Sequence, residues 1–139
     1  MCVRFGWEDS LVPSNEGDWV FADAWVLTAI AVSTRPCSLA ELVAAGDMLN
    51  HALLLDAEVD SALGKLLGSG LLKVTTDLGF ELTSEGAALV ERRHGGLFSQ
   101  VGSVLSLLGG VPASHQKFAL PPGAMQRAVD AYLARSRKH

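Results

Sequence analysis

Between Ala62 and Val90 the hydrophobic period of the chain changes twice, and few folds accommodate two changes in so short a stretch. Behind Asp56, a suitable N-cap, Val59, Leu63, Leu66 and Leu67 recur at helical spacing, and Glu58 lies in the first turn, where the helix dipole favours a carboxylate. Gly68-Ser69-Gly70 then provides a left-handed stop. Leu71 to Thr76 is apolar and β-branched, Asp77-Leu78-Gly79 is turn chemistry, and Phe80 to Thr83 alternates again, which predicts a short β-hairpin. Thr83 or Ser84 caps the next helix, which runs through Glu85 to Arg93 and is broken at Gly95-Gly96.

The flanking segments read as further helices. Asp23 to Thr34 is apolar around most of its circumference, through Trp25, Val26, Ala29, Ile30 and Val32, so a core helix capped by Asp23 is expected, ending at Arg35-Pro36. Ser38-Leu39-Ala40-Glu41 matches a capping box and opens a second helix towards Asn50, with Leu39, Leu42, Val43 and Leu49 as its buried stripe and Gly46 weakening its later part. Leu97 to Leu108 forms an apolar stripe with serines opposite, a Gly/Pro-rich loop covers Gly109 to Gly123, and Ala124 to about Arg135 predicts the last helix.

Length and cysteine content narrow the class. The chain has 139 residues, enough for one core without covalent staples, and Cys2 and Cys37 form neither a disulfide framework nor a C-x-x-C metal spacing. The N-terminus lacks the unbroken apolar stretch of a secretory signal, and Leu97 to Val111 is too short and too serine-rich to span a bilayer. A soluble cytoplasmic protein with no membrane contact is the expectation.

Net charge is −4, but its distribution is uneven. Residues 1–23 carry Glu8, Asp9, Glu16, Asp18 and Asp23 against Arg4, and residues 38–67 carry Glu41, Asp47, Asp56, Glu58 and Asp60 against Lys65. The last thirteen residues reverse the sign with Arg127, Arg135, Arg137 and Lys138 against Asp130. An acidic body precedes a basic tail.

The order helix, helix, helix, hairpin, helix resembles the winged-helix (winged helix-turn-helix) family of bacterial transcription-regulator domains. The run Ala62-Leu-Gly-Lys-Leu-Leu-Gly-Ser-Gly-Leu-Leu-Lys-Val74, followed by Phe80-Glu-Leu-Thr-Ser-Glu-Gly-Ala-Ala-Leu-Val90, is similar to that family's third helix, wing and L-T-x-E-G sequence. The resemblance implies a mostly α fold with a short β-hairpin wing and additional C-terminal helices. Residues 1–22 form an aromatic and acidic arm, 23–93 the winged-helix core, and 94–139 the C-terminal helices and basic tail, packed on the core or on a second protomer within one domain.

In that family the third helix enters the major groove of DNA. Here its outward residues are Asp56, Ala57, Glu58, Asp60, Ser61, Gly64 and Lys65, and three carboxylates with one lysine repel a polyanion. DNA contact through this helix is therefore disfavoured, and Lys73, Arg92, Arg93, Arg135, Arg137 and Lys138 are the candidate nucleic-acid contacts elsewhere. No catalytic or phosphate-binding motif occurs, the four histidines lack metal spacing, and Glu91 with His94 gives only half of a di-iron motif. No enzyme activity, cofactor or metal is expected.

From His94 to Gln116 the chain carries no Asp, Glu, Lys or Arg, so this stretch should be covered. Leu97, Val101, Val104, Leu105 and Leu108 are the candidate interface, sealed by a second protomer or by the final helix through Val129, Tyr132 and Leu133. The expected function is that of a non-enzymatic regulatory or adaptor protein acting through protein contacts, as a homodimer or with another protein. The alternative is a DNA-binding regulator with a small-molecule effector.

Overall fold

The computed structural model describes residues 19–33, 36–50, 52–75, 78–96 and 99–137, with the side chains of Ser136 and Arg137 outside that description. Its elements run α1 (Phe21–Val32), α2 (Leu39–Asn50), α3 (Asp56–Gly68), β1 (Leu72–Val74), β2 (Phe80–Leu82), α4 (Ser84–Glu91), α5 (Gln100–Leu108) and α6 (Ala124–Arg137). The chain is mostly α-helical with one antiparallel hairpin, in the register Leu72↔Leu82, Lys73↔Glu81 and Val74↔Phe80. Cys37 extends this small sheet by exchanging main-chain hydrogen bonds with Phe80 at 2.9 and 2.8 Å.

α1 is the centre of the molecule. Every residue from Asp23 to Ile30 is buried, as an all-round apolar helix requires, and α2, α3 and α5 pack around it. The helix begins two residues before the expected cap. Val20 occupies the cap position, and Asp23, one turn inside, accepts its N–H at 2.9 Å, so Asp23 is a first-turn carboxylate and not the N-cap. Asp56 is corrected in the same way: Leu55 precedes the helix, and its N–H donates to Glu58 Oε1 at 2.9 Å. In both helices a carboxylate three residues on reaches back to the entering amide, while no side chain at the cap position accepts a hydrogen bond.

The other signals act where the sequence puts them. Ser38 Oγ accepts the Glu41 N–H at 3.1 Å while Glu41 accepts the Ser38 N–H at 2.9 Å, the reciprocal pair of a capping box. Thr83 Oγ1 accepts the Gly86 N–H at 3.0 Å and donates to the Gly70 carbonyl at 2.6 Å, fixing α4 to the end of α3. Gly46 leaves α2 unbroken because the position is a contact point. The Trp25 indole donates to its carbonyl at 2.9 Å, and a side chain there would meet Leu54 Cδ1 at 2.9 Å.

The C-terminal third departs most from expectation. α5 packs on α1 and α4, whereas α6 packs on α2, so the final helix does not cover α5. Met125 and Ala128 bury the inner face of α6, and Tyr132 donates to Asp47 of α2 at 2.5 Å. The two helices are separated by residues 109–123, which carry the chain along α3.

Candidate functional site

The outward face of α3 is where the resemblance puts the chemistry of this chain. A segment from Val111 to Pro121 runs antiparallel along that face. Leu120 N–H donates to Asp60 Oδ1 at 3.0 Å, and one turn further on Gln116 N–H donates to the Gly64 carbonyl at 2.9 Å. Beyond Gly68, Ser114 N–H donates to Ser69 Oγ at 2.8 Å, while that hydroxyl faces the Ser114 carbonyl at 3.3 Å. Phe118 turns inward and meets the buried Phe80 ring edge-on, with centroids 6.5 Å apart. Upstream, the Trp19 indole donates to the Val111 carbonyl at 2.8 Å and pins the beginning of the segment to the start of α1.

Two glycines make this approach possible. A Cβ at Gly64 would lie 2.5 Å from His115 Nε2 and 2.9 Å from the Gln116 carbonyl oxygen. At Gly68 it would collide with the Ser114 carbonyl and lie 2.6 Å from Gln116 N. Glycine costs a helix interior about 1 kcal/mol relative to alanine, so their use here is intelligible as clearance for a main chain. The segment's anchors are mostly main-chain groups. Ser114, His115, Gln116 and Lys117 keep their side chains exposed.

The segment and the core together take Gly64 and Lys65 out of the expected reading face and leave its N-terminal part open. Asp56, Ala57 and Ser61 are exposed, Glu58 and Asp60 are half-buried, and Gly64 is covered. Lys65 is corrected outright. It lies inside the protein, where Nζ meets Asp23 Oδ2 at 2.8 Å with side-chain exposures of 8% and 1%. This ion pair ties α3 to the first turn of α1. Asp23 Oδ1 is also buried and has no hydrogen-bond partner among the described residues. With its lysine drawn inward, α3 presents carboxylates and no cation.

The candidate basic residues lie on three different elements. Lys73 is exposed on β1 and faces Glu81 at 3.5 Å. Arg92 ends α4, beside a groove of about 370 Å³ between Ser69, Leu71, Ala88 and Val111. Arg93 is held by Gln100 Oε1 at 2.7 Å and the Val90 carbonyl at 2.8 Å. Arg135 borders an apolar depression of about 300 Å³ formed with Val32, Ala45 and Met48. The side chain of Arg137, and Lys138 entirely, lie outside the described residues.

Of the candidate interface residues, Val101, Val104 and Leu108 are fully buried within this chain, Leu105 is half-buried, and Leu97 lies outside the described residues. Their cover is α1, so the stripe packs on the core of its own chain and not under α6. The reason is topological: the 111–121 segment carries the chain across α3 and delivers α6 to α2. Among the described residues no three His, Cys, Asp or Glu side chains form a metal-sized cluster. Glu91 and His94 are exposed, and the His94 N–H is used by Ser103 Oγ at 3.0 Å.

Burial pushes the Cys37 thiol up to about 11, an effect only partly opposed by its hydrogen bond with Ser33 and reinforced by Glu41. A thiol so disposed stays protonated and unreactive at neutral pH. Among the described residues no helix is long and apolar enough to cross a membrane. The spacing Gly64-x-x-x-Gly68 was the one sequence signal for the covered face, and a glycine pair alone does not say what covers it. Comparison with protein-family models, with curated proteins and with solved structures finds no match for this chain.

Proposed function

We propose that this chain is a winged-helix domain that works as a regulatory or adaptor protein through protein contacts, without inserting α3 into a DNA groove. The element order α1, α2, α3, hairpin, α4, with Cys37 adding a third extended contact to the hairpin, supports the winged-helix reading. The observation that carries the functional reading is the 111–121 segment lying along α3 from Asp60 to Ser69. A recognition helix needs an open face and cations for phosphate. This one has main chain bonded along it, its lysine turned inward, and Asp56 exposed at its start.

Selection from a random-sequence duplex library at low salt tests the reading. The expected result is that no sequence is enriched, and that replacing Asp56, Glu58 and Asp60 by alanine leaves weak residual affinity unchanged or raises it. Residual affinity should follow the basic tail, so deleting residues 134–139 removes it together with its salt dependence. A duplex sequence that is enriched, and whose binding is abolished by substitutions on α3, would overturn the proposal in favour of a DNA-reading regulator.

A further inference from the structure

The groove of about 370 Å³ beside α4 has its own pattern of charge. Leu71 and Leu89, 3% and 6% exposed, face it together with Ala88 and Val111, so its lining is mainly apolar. Glu85 in the first turn of α4 and Arg92 at its C-cap border the groove, seven positions and therefore about 10 Å apart along the helix axis. Both are exposed, and among the described residues neither is in an ion pair. The groove thus carries an anion at one end, a cation at the other and apolar surface between them. The aromatic and acidic arm of the chain, which up to Asp18 lies outside the described residues, contains the run Arg4-Phe5-Gly6-Trp7-Glu8: a cation, two aromatic rings and a carboxylate. The arm joins the body at Trp19, whose indole donates to the carbonyl of Val111 on the rim of the groove at 2.8 Å.

We propose that the groove beside α4 is a docking site for an extended segment bearing a cation, aromatic side chains and a carboxylate in that order, and that its occupant is residues 4–8 of the same chain. Arg4 pairs with Glu85, the Phe5 and Trp7 rings cover the apolar lining, and Glu8 pairs with Arg92. Three observations favour this occupant. The attachment of Trp19 to Val111 brings the arm to the edge of the groove, and the twelve positions from Trp7 to Trp19 reach up to about 40 Å when extended, more than enough to return to it. In extended chain Arg4 and Glu8 are about 13 Å apart, a span that their long side chains fit to the two charged ends of the groove. The other charged end of the chain, residues 133–139, has no carboxylate or aromatic side chain and follows α6 on α2. A protein partner that uses this groove must therefore displace the arm, and it would do so with the same order of charge and aromatic surface. The inference concerns α4 and is independent of how α3 is used.

Cross-linking in the full chain tests the occupant. In a Cys2→Ser background, with the native Cys37 buried, Gly6→Cys is combined either with Ala88→Cys at the middle of the groove or with Ala131→Cys on the exposed side of α6. Each variant is treated with a short bifunctional maleimide. Docking predicts that cross-linking to position 88 within single chains is at least about tenfold faster than to position 131, because a seated segment has a higher effective concentration than a tethered one. Adding Arg92→Glu should remove the advantage, and Glu8→Arg in the same chain should restore it. Equal rates at the two positions, a product only at twice the monomer mass, or a loss at Arg92→Glu that Glu8→Arg does not repair would overturn the proposal. A second measurement needs no added cysteine. Trp7→Ala should shift the main-chain amide resonances of Ala88, Leu89 and Arg92 and leave those of α2 in place, and the absence of any shift along α4 would overturn the proposal equally. The duplex selection does not involve α4, so failure here leaves the reading of α3 intact.

Discussion

Replacing Lys65 by methionine is the most informative single change to the core. Methionine keeps the apolar stem and removes the ammonium, leaving the Asp23 carboxylate 1% exposed with the Val20 N–H as its remaining hydrogen bond from the described residues. At 2.8 Å the pair attracts by about 6 kcal/mol for an effective dielectric constant near 20. Much of that is offset by desolvation in the intact protein, but a lone buried charge keeps the desolvation cost without the attraction. Breaking such a pair costs about 3–5 kcal/mol, a large fraction of the roughly 5–15 kcal/mol that holds a domain folded. Urea unfolding followed by far-ultraviolet circular dichroism should show the midpoint falling at unchanged slope. Adding Asp23→Asn to Lys65→Met removes the stranded charge and should recover at least about 2 kcal/mol, since a neutral buried pair is often as stable as an ionic one. A loss below about 1 kcal/mol for Lys65→Met, or a double variant no better than the single, would refute the buried pairing of α1 with α3.

Three further outcomes follow from the packing. Alanine at a helical glycine ordinarily gains up to about 1 kcal/mol, but Gly68→Ala should lower the melting temperature because its methyl group collides with the Ser114 main chain; a higher melting temperature would mean that α3 is uncovered. Leu108→Ala should cost about 2–5 kcal/mol in chemical denaturation, as expected for a fully buried leucine between α5 and α1, with no concentration dependence of its own. Cys37, raised to about 11 by burial, contributes stability that is complete below the ordinary thiol value of 9.0, because above it the unfolded chain loses its proton first. That contribution is lost as pH rises from 9.0 to about 11, and Cys37→Ala should flatten this part of the stability profile measured by urea titration.

The helices and the hairpin were legible because each is announced locally. Ser38 with Glu41, Thr83 before Gly86, and Gly70, whose N–H donates to the Leu67 carbonyl at the end of α3, carry hydrogen bonds within a few residues, and the structure uses all three. The starts of α1 and α3 were misplaced because Asp23 and Asp56 look like caps, while the amides are served by carboxylates from inside the helix. The site was legible only in part. The acidic character of α3 was plain, but the inward turn of Lys65 depends on Asp23, forty-two positions away. The cover on α3 likewise joins Gly64 to Gln116 and Asp60 to Leu120, contacts made mainly by main chain, and a main-chain donor leaves no mark in a sequence. The absence of charge from His94 to Gln116 matched burial only in part: Val101, Val104 and Leu108 of α5 are buried whereas Ser114, His115 and Gln116 are exposed, and nothing local distinguished α1 from α6 or from a second protomer as the cover.

Amide hydrogen exchange at Ser114, Gln116 and Leu120 tests the closed face of α3 most directly. The side chains of Ser114 and Gln116 are exposed, so a segment merely passing over the surface would exchange at all three positions at the rate of a free peptide. Their amides donate to Ser69 Oγ, the Gly64 carbonyl and Asp60 Oδ1. The expected result is protection approaching that of α3 itself, lowered at Leu120 alone by Asp60→Ala. Free-peptide exchange at Gln116, with α3 still protected, would contradict the cover on the C-terminal half of α3 and leave only its charge as a reason for setting DNA aside.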